Sequence, residues 1–213
     1  MRTTRDESGD LSWHIVGRGV EYEGEGQANL IRVAGVGAFY LVELMNDRGF
    51  QLGAFEMPKV ADHTFHLAVT SVAVAWTMLG LAVQLCLSQR VFPAALKFAS
   101  TGGDVLLMTC VLAVSHGPRS PLVVGYFLIL ALAALRFSLP LIWLATGGST
   151  LGYLSLLGNA KWNAPEQAVP RYHEVMFLLA LGLTGTTLGQ VVRRVRRLAE
   201  DYAGRRQIIR TGP

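Results

Sequence analysis

From Ala28 onward the chain alternates long apolar stretches with short polar gaps that carry most of its charge. Six stretches approach the roughly 20 residues that a helix rising about 1.5 Å per residue needs to cross about 30 Å of hydrocarbon. They are Ala28 to Met45, Thr64 to Ser88, Lys97 to Ser115, Pro121 to Leu135, Phe137 to Gly158 and Tyr172 to Val192. Lipid offers backbone amides no partners, so apolar stretches of this length are read as helices. The pattern therefore predicts an all-α fold, an integral membrane six-helix bundle over residues 28–192. The fourth stretch is the shortest, and only Arg136 separates it from the fifth. Pro140 falls in the first turn of the fifth, where its missing N–H costs little, which favours a fresh helix start and two spans over one long broken helix.

Composition agrees with a bilayer. The 213 residues are 51% hydrophobic and 16% charged, with a mean hydropathy of +0.37, whereas a soluble domain carries about 25% charge. A disordered chain, a collagen-like chain and an ordinary cytosolic enzyme are thereby excluded. The first 27 residues hold Arg2 and Arg5 but no apolar core, so they predict a cytoplasmic segment rather than a cleaved signal peptide, and the first apolar stretch is expected to be retained. Assigning Lys and Arg to alternate sides puts fourteen with the two termini and five, Arg48, Lys59, Arg119, Lys161 and Arg171, opposite. Because basic residues resist translocation and bind anionic lipid, both termini are expected in the cytoplasm, in a multi-pass protein of the cell's inner (cytoplasmic) membrane. The tail, residues 193–213, reads as an amphipathic or coiled-coil-like helix. Its basic run abuts a span and lacks interleaved aromatics that would stack bases, so the expected partners are membrane lipids and other membrane proteins, or further copies of the chain, and not nucleic acid.

In this orientation His63, His66, His116 and His173 all fall at the outer ends of spans, beside Asp62, Arg119, Arg171 and Glu174. Such a rim suits hydrogen bonding to a quinone carbonyl, and His116 with His173 suits bis-imidazole ligation of a b-type haem. Interfacial histidines also arise simply because one ring edge is wet and the other apolar. No HExxH motif or cysteine pair points to a metal, and Cys86 and Cys110 lie inside apolar runs where a disulfide is not expected. Arg32, Glu43 and Asp104 are ionisable groups within or at the edge of the hydrocarbon, where charge needs a named partner. Asp104 is expected to pair with Arg32 or Arg136 as a tie between helices, since one acid without titratable neighbours conducts no protons. Glu43 belongs to the histidine rim or snorkels to water. Gly148 with Gly152, Gly185 with Gly189, and the cluster Ala34, Gly35, Gly37, Ala38 are expected to be faces where helices approach closely.

Between the third and fourth stretches the residues run His116-Gly117-Pro118-Arg119-Ser120-Pro121-Leu122 after Asp104 and an apolar helix, and are followed by Tyr126. This resembles the six-span input domains of bacterial sensor histidine kinases of the redox-responsive RegB type, whose short outer loop reads G-G-x-x-N-P-F. Gly117 and Pro121 match that loop, while His116, Ser120 and Leu122 stand in place of Gly, Asn and Phe. The resemblance implies quinone sensing at this loop, with His116 and Arg119 as donors. The layout is similar also to the six-span anchors of bacterial adenylyl cyclases. The chain carries neither kinase nor cyclase residues, so the expected function is a non-enzymatic sensor or anchor module. A haem-bearing electron-transfer subunit of a respiratory or photosynthetic complex is the alternative.

Overall fold

The computed structural model describes residues 24–42, 44–45, 50–52, 55–57, 63–89 and 94–210, with side chains given for 24–42, 44–45, 66–89 and 95–199. Helix α1 covers residues 24–42. It is followed by an antiparallel hairpin of β1 (Phe50–Leu52) and β2 (Phe55–Met57), in which Phe50 pairs with Met57. Then come α2 (His63–Ser88), α3 (Ala94–Val114), α4 (Gly125–Leu135), α5 (Leu139–Trp162) and α6 (Arg171–Arg210). Single 3-10 turns at Gly117–Arg119, Pro121–Val124 and Pro165–Gln167 fill the links on either side of α4 and α5. The described residues are thus helical as expected, except for a two-stranded hairpin that the apolar pattern did not foretell.

Among the described residues, four helical stretches are long and apolar enough to cross a membrane: His66–Ser88, Ala95–Val114, Leu139–Trp162 and Arg171–Ala199. The helical segment Pro121–Leu135 is shorter; its 3-10 turn and α-helical turns together rise roughly 24 Å. α4 and α5 are separate helices packed against each other. The chain reverses at Arg136 and Phe137, where Phe137 takes φ 47°, and α5 restarts with Pro140 in its first turn.

Contacts at the helix ends fix the directions. Tyr40 near the close of α1 meets Thr70 and His66 near the start of α2, and Thr109 late in α3 meets Tyr126 early in α4. Arg136, after α4, meets Lys97 early in α3. Successive helices therefore run in opposite directions. One end of the bundle gathers the α3–α4 and α5–α6 links and the start of α2, and the other gathers Arg136 and the starts of α1, α3 and α5.

α5 is the central helix, packing on α3, α4 and α6. Leu112, Tyr126, Leu130, Leu141, Ile142, Ala145 and Leu181 are fully enclosed. Phe177 of α6 lies against Tyr153, Phe127 and Tyr126 at ring separations of 4.3, 5.5 and 6.5 Å. The outer surface is correspondingly greasy: Leu106, Leu151, Met176 and Leu183 each keep about two thirds of their surface exposed, which in water would be an aggregation liability and in a bilayer is ordinary lipid contact. The four paired glycines all face a neighbour. A Cβ on Gly148 would stand 3.4 Å from Val105, one on Gly152 would crowd Thr109 and Tyr126, one on Gly185 would strike Thr146, and one on Gly189 would lie 3.8 Å from Leu139. Gly35 faces Leu128 of α4, whereas Gly37 has open space around it.

Candidate functional site

The most heavily built feature is a polar cluster sunk among α1, α2 and α3. Arg32 of α1 grips Asp104 of α3 with both arms of its fork, Nε to Oδ1 at 2.7 Å and Nη2 to Oδ2 at 2.8 Å. This is the bidentate geometry in which a guanidinium and a carboxylate satisfy one another best. Both side chains are only 1–2% exposed. Trp76 of α2 adds an indole N–H to Asp104 Oδ1 at 2.8 Å. The remaining Arg32 nitrogen donates to Asn29 Oδ1 at 2.8 Å, and Asn29 in turn donates to the Gly80 carbonyl and Gln84 Oε1, each at 3.1 Å. A Cβ on Gly80 would press on Val33 at 3.3 Å and meet Asn29 Oδ1 at an ordinary 3.5 Å. Asn29 and Arg32 stand three residues apart and so share a face of α1.

A second cluster adjoins it. The guanidinium of Arg136, in the turn after α4, donates to Thr101 Oγ1, to Ser100 Oγ at 3.0 Å and to the Lys97 carbonyl at 3.3 Å. Its Nε lies 3.0 Å from Glu25 Oε2, an ion pair in which both side chains are 1–2% exposed. The sequence left Asp104 a choice of two arginines. The structure gives it Arg32, and Arg136 takes Glu25 instead. Two cations thus meet two carboxylates, and the acid oxygens of Asp104 are held by three donors. This is the arrangement of a brace, with α1 fastened through charge to α3 and to the α4–α5 turn.

Glu25, Asn29, Trp76, Gln84, Ser100 and Thr101 were not anticipated. Ser100, Thr101 and Asp104 carried a signal, since polar residues three and four apart within an apolar run share a helix face. Glu25 carried none, because it precedes the apolar stretch that marked α1.

The opposite end holds the rim residues. His63 is the first residue of α2, and its side chain and Glu43 lie outside the described residues. The ring of His66 stacks on Tyr40 at 6.4 Å with 30° between planes, and its Nδ1 is enclosed without a partner among the described residues. His116 is exposed at the head of the 3-10 turn after α3. Gly117 follows with φ +59°, a left-handed conformation that glycine adopts freely, and a Cβ there would sit 2.6 Å from Gln167 Oε1. Arg119 donates to the Glu166 carbonyl at 2.8 Å. Pro121 opens the next 3-10 turn, braced by the Ser120 hydroxyl accepting from the Leu122 amide. The loop singled out by its motif is therefore locked onto the α5–α6 link. His173, exposed at the start of α6, meets Tyr172 edge to face at 4.4 Å. The three described imidazoles share one end, but His66 engages Tyr40 and His173 engages Tyr172, and among the described residues no three His, Cys, Asp or Glu lie together as a metal site.

An apolar groove of about 80 Å³ joins the two regions. Tyr40, Ser115 and Leu122 line it toward the histidine end, and Phe39, Met108 and Trp76 line it toward the interior. Trp76 thus presents one surface to the groove and its N–H to Asp104.

No protein-family model matches the chain, and no curated protein or solved structure matches it either.

Proposed function

We propose that the chain is a non-enzymatic six-span membrane module of sensor or anchor type, with both termini in the cytoplasm, that assembles with other membrane proteins. Its histidine end takes a quinone-like ligand, and α6 carries the response to the cytoplasm. The observation that supports this most is the continuity of α6. It runs without a break from Arg171 at the histidine end to Arg210, about 60 Å at the helical rise. A helix that begins beside the ligand end and ends beyond the opposite one moves as a unit. The brace of Arg32, Asp104 and Arg136 holds the other helices as the frame against which it moves. α1 and α4 complete the six spans, their short or charged segments tolerated because Glu25, Arg32 and Arg136 face protein and not lipid.

Ligand binding shifts α6 only by as much as the two packings differ in affinity. The test reconstitutes the protein in vesicles with a short-chain quinone and follows a spin label at Leu198. Saturable binding and a changed label environment are expected, both weakened by His116→Ala. No binding by the unaltered protein, or equal binding by the variant, removes the ligand. A Soret band in the purified protein that is lost on replacing His116 or His173 would replace this reading with a haem-bearing subunit.

A further inference from the structure

Val192, 2% exposed, is the last buried residue of α6 among those whose side chains are described. From Arg193 to Ala199 every residue is exposed, including Val195 at 42% and Leu198 at 56%, yet the helix continues to Arg210. Two turns at least therefore carry no packing against the bundle, and most of a helix's stability comes from packing an apolar face.

The sequence of this portion says what covers it. Val191, Val195, Leu198, Tyr202, Arg205 and Ile209 follow one another at spacings of four, three, four, three and four, the heptad pattern of a two-stranded coiled coil with apolar residues at the seam. Arg196 and Arg197 fall outside that seam. Within the span the exposed continuation of the stripe is Thr187 and Ala180, with Thr184 half-buried between them. All three are small, as close helix approach in lipid requires. This stripe is offset from the side of α6 that buries Leu181 and Val192 against the bundle.

We infer that α6 pairs through this stripe with α6 of a second copy of the chain, as a parallel two-stranded coiled coil. Charge selects that occupant. With Val195 and Tyr202 at a positions, Asp201 falls at g and Arg206 at the following e, so a parallel, in-register pair sets Asp201 of each copy against Arg206 of the other. Arg205 falls at the seam, the kind of polar position that fixes register at a cost in stability, and Asp201 precedes it by four positions in the sequence. The parallel arrangement rests on α6 crossing the membrane as in the proposed function, since copies inserted alike run alike.

The test uses the full chain in vesicles, with Cys86 and Cys110 changed to serine and single cysteines at 195, 198 and 202, or at 196, 200 and 203. Disulfide-linked dimers are expected at the first three and at least about fivefold less at the others, because a disulfide needs Cβ atoms about 4 Å apart. Equal yields at all six positions, none at the first three, or products of a mass other than two chains would overturn the pairing. Asp201→Arg should abolish the dimer, and adding Arg206→Asp should restore it; failure of the swap would overturn the stated register. Labelling that found α6 not to cross the membrane would count against the topology and leave the cross-linking pattern to be judged separately.

Discussion

Removing the Asp104 carboxylate is the sharpest perturbation of the brace. In Asp104→Ala, Arg32 keeps its charge and its bond to Asn29 Oδ1 but loses both carboxylate contacts, and the Trp76 N–H loses its acceptor. Breaking a buried ion pair from one side costs about 3–5 kcal/mol, because the partner left behind is uncompensated, and both side chains here are almost fully enclosed. Arg32→Met should cost a similar amount, since it leaves a carboxylate held by a single indole. The double variant Arg32→Met/Asp104→Leu removes both charges. Replacing a whole buried pair with apolar groups is often close to neutral, so the remaining cost is the orphaned Trp76 donor and the Asn29 Oδ1 left without Arg32, each at the low end of about 1–3 kcal/mol. The assay is equilibrium unfolding in mixed micelles with increasing SDS, followed by circular dichroism, for all four proteins. The double variant is predicted to be more stable than either single one. A cost below about 0.5 kcal/mol for Asp104→Ala, as expected of a surface change, would refute the brace. So would a double variant whose loss equals the sum of the two singles, the signature of independent sites.

The same titration checks four further variants. Glu25→Ala should cost less than Asp104→Ala, about 1–3 kcal/mol, because Arg136 retains Thr101, Ser100 and the Lys97 carbonyl as neutral acceptors; a loss as large as that of Asp104→Ala would show that Glu25 carries the second cluster alone. Gly185→Val should cost about 1–3 kcal/mol by overpacking against the β-branched Thr146, whose hydroxyl is already tied to the Ile142 carbonyl. Gly125→Ala should cost less, about 1 kcal/mol at most, because the atoms it meets are the flexible thioether end of Met108; the reverse order would contradict the described packing. Arg119→Ala removes one exposed bond to the Glu166 carbonyl and should shift stability by less than about 1 kcal/mol, while the loop stays seated through Gly117; a larger loss would mean that Arg119, and not the glycine contact, seats it.

The apolar runs that became α2, α3, α5 and α6 were legible because charge bounds each and nothing within them competes with a helix. The pairing of Arg32 with Asp104 was legible as one of two choices, since a charge within hydrocarbon must find its opposite. What decided between Arg32 and Arg136 was not, because Glu25 lies ahead of the apolar run, in residues read as outside the membrane. Trp76 was hidden for a related reason: in an apolar helix an indole reads as bulk, and its N–H gains meaning only once Asp104 is set against it. The hairpin left a faint trace in the alternation of Phe50, Leu52, Phe55 and Met57 around Gly53 and Ala54, too short to stand out beside spans of twenty residues. His66, His116 and His173 share an end of the bundle because successive helices run in opposite directions. Their separate neighbours, Tyr40 for His66 and Tyr172 for His173, depend on side-chain packing that spacing along the chain does not encode.

Everything proposed for function depends on the histidine end and the arginine-rich end lying on opposite sides of one membrane. The direct measurement is labelling of intact cells with a membrane-impermeant maleimide, using protein lacking Cys86 and Cys110 and carrying one cysteine at Arg119 or at Arg197, both exposed positions. Labelling at 119 with protection at 197 until the cells are opened is the predicted result. Labelling at 197 in intact cells, or equal labelling of both, would contradict it.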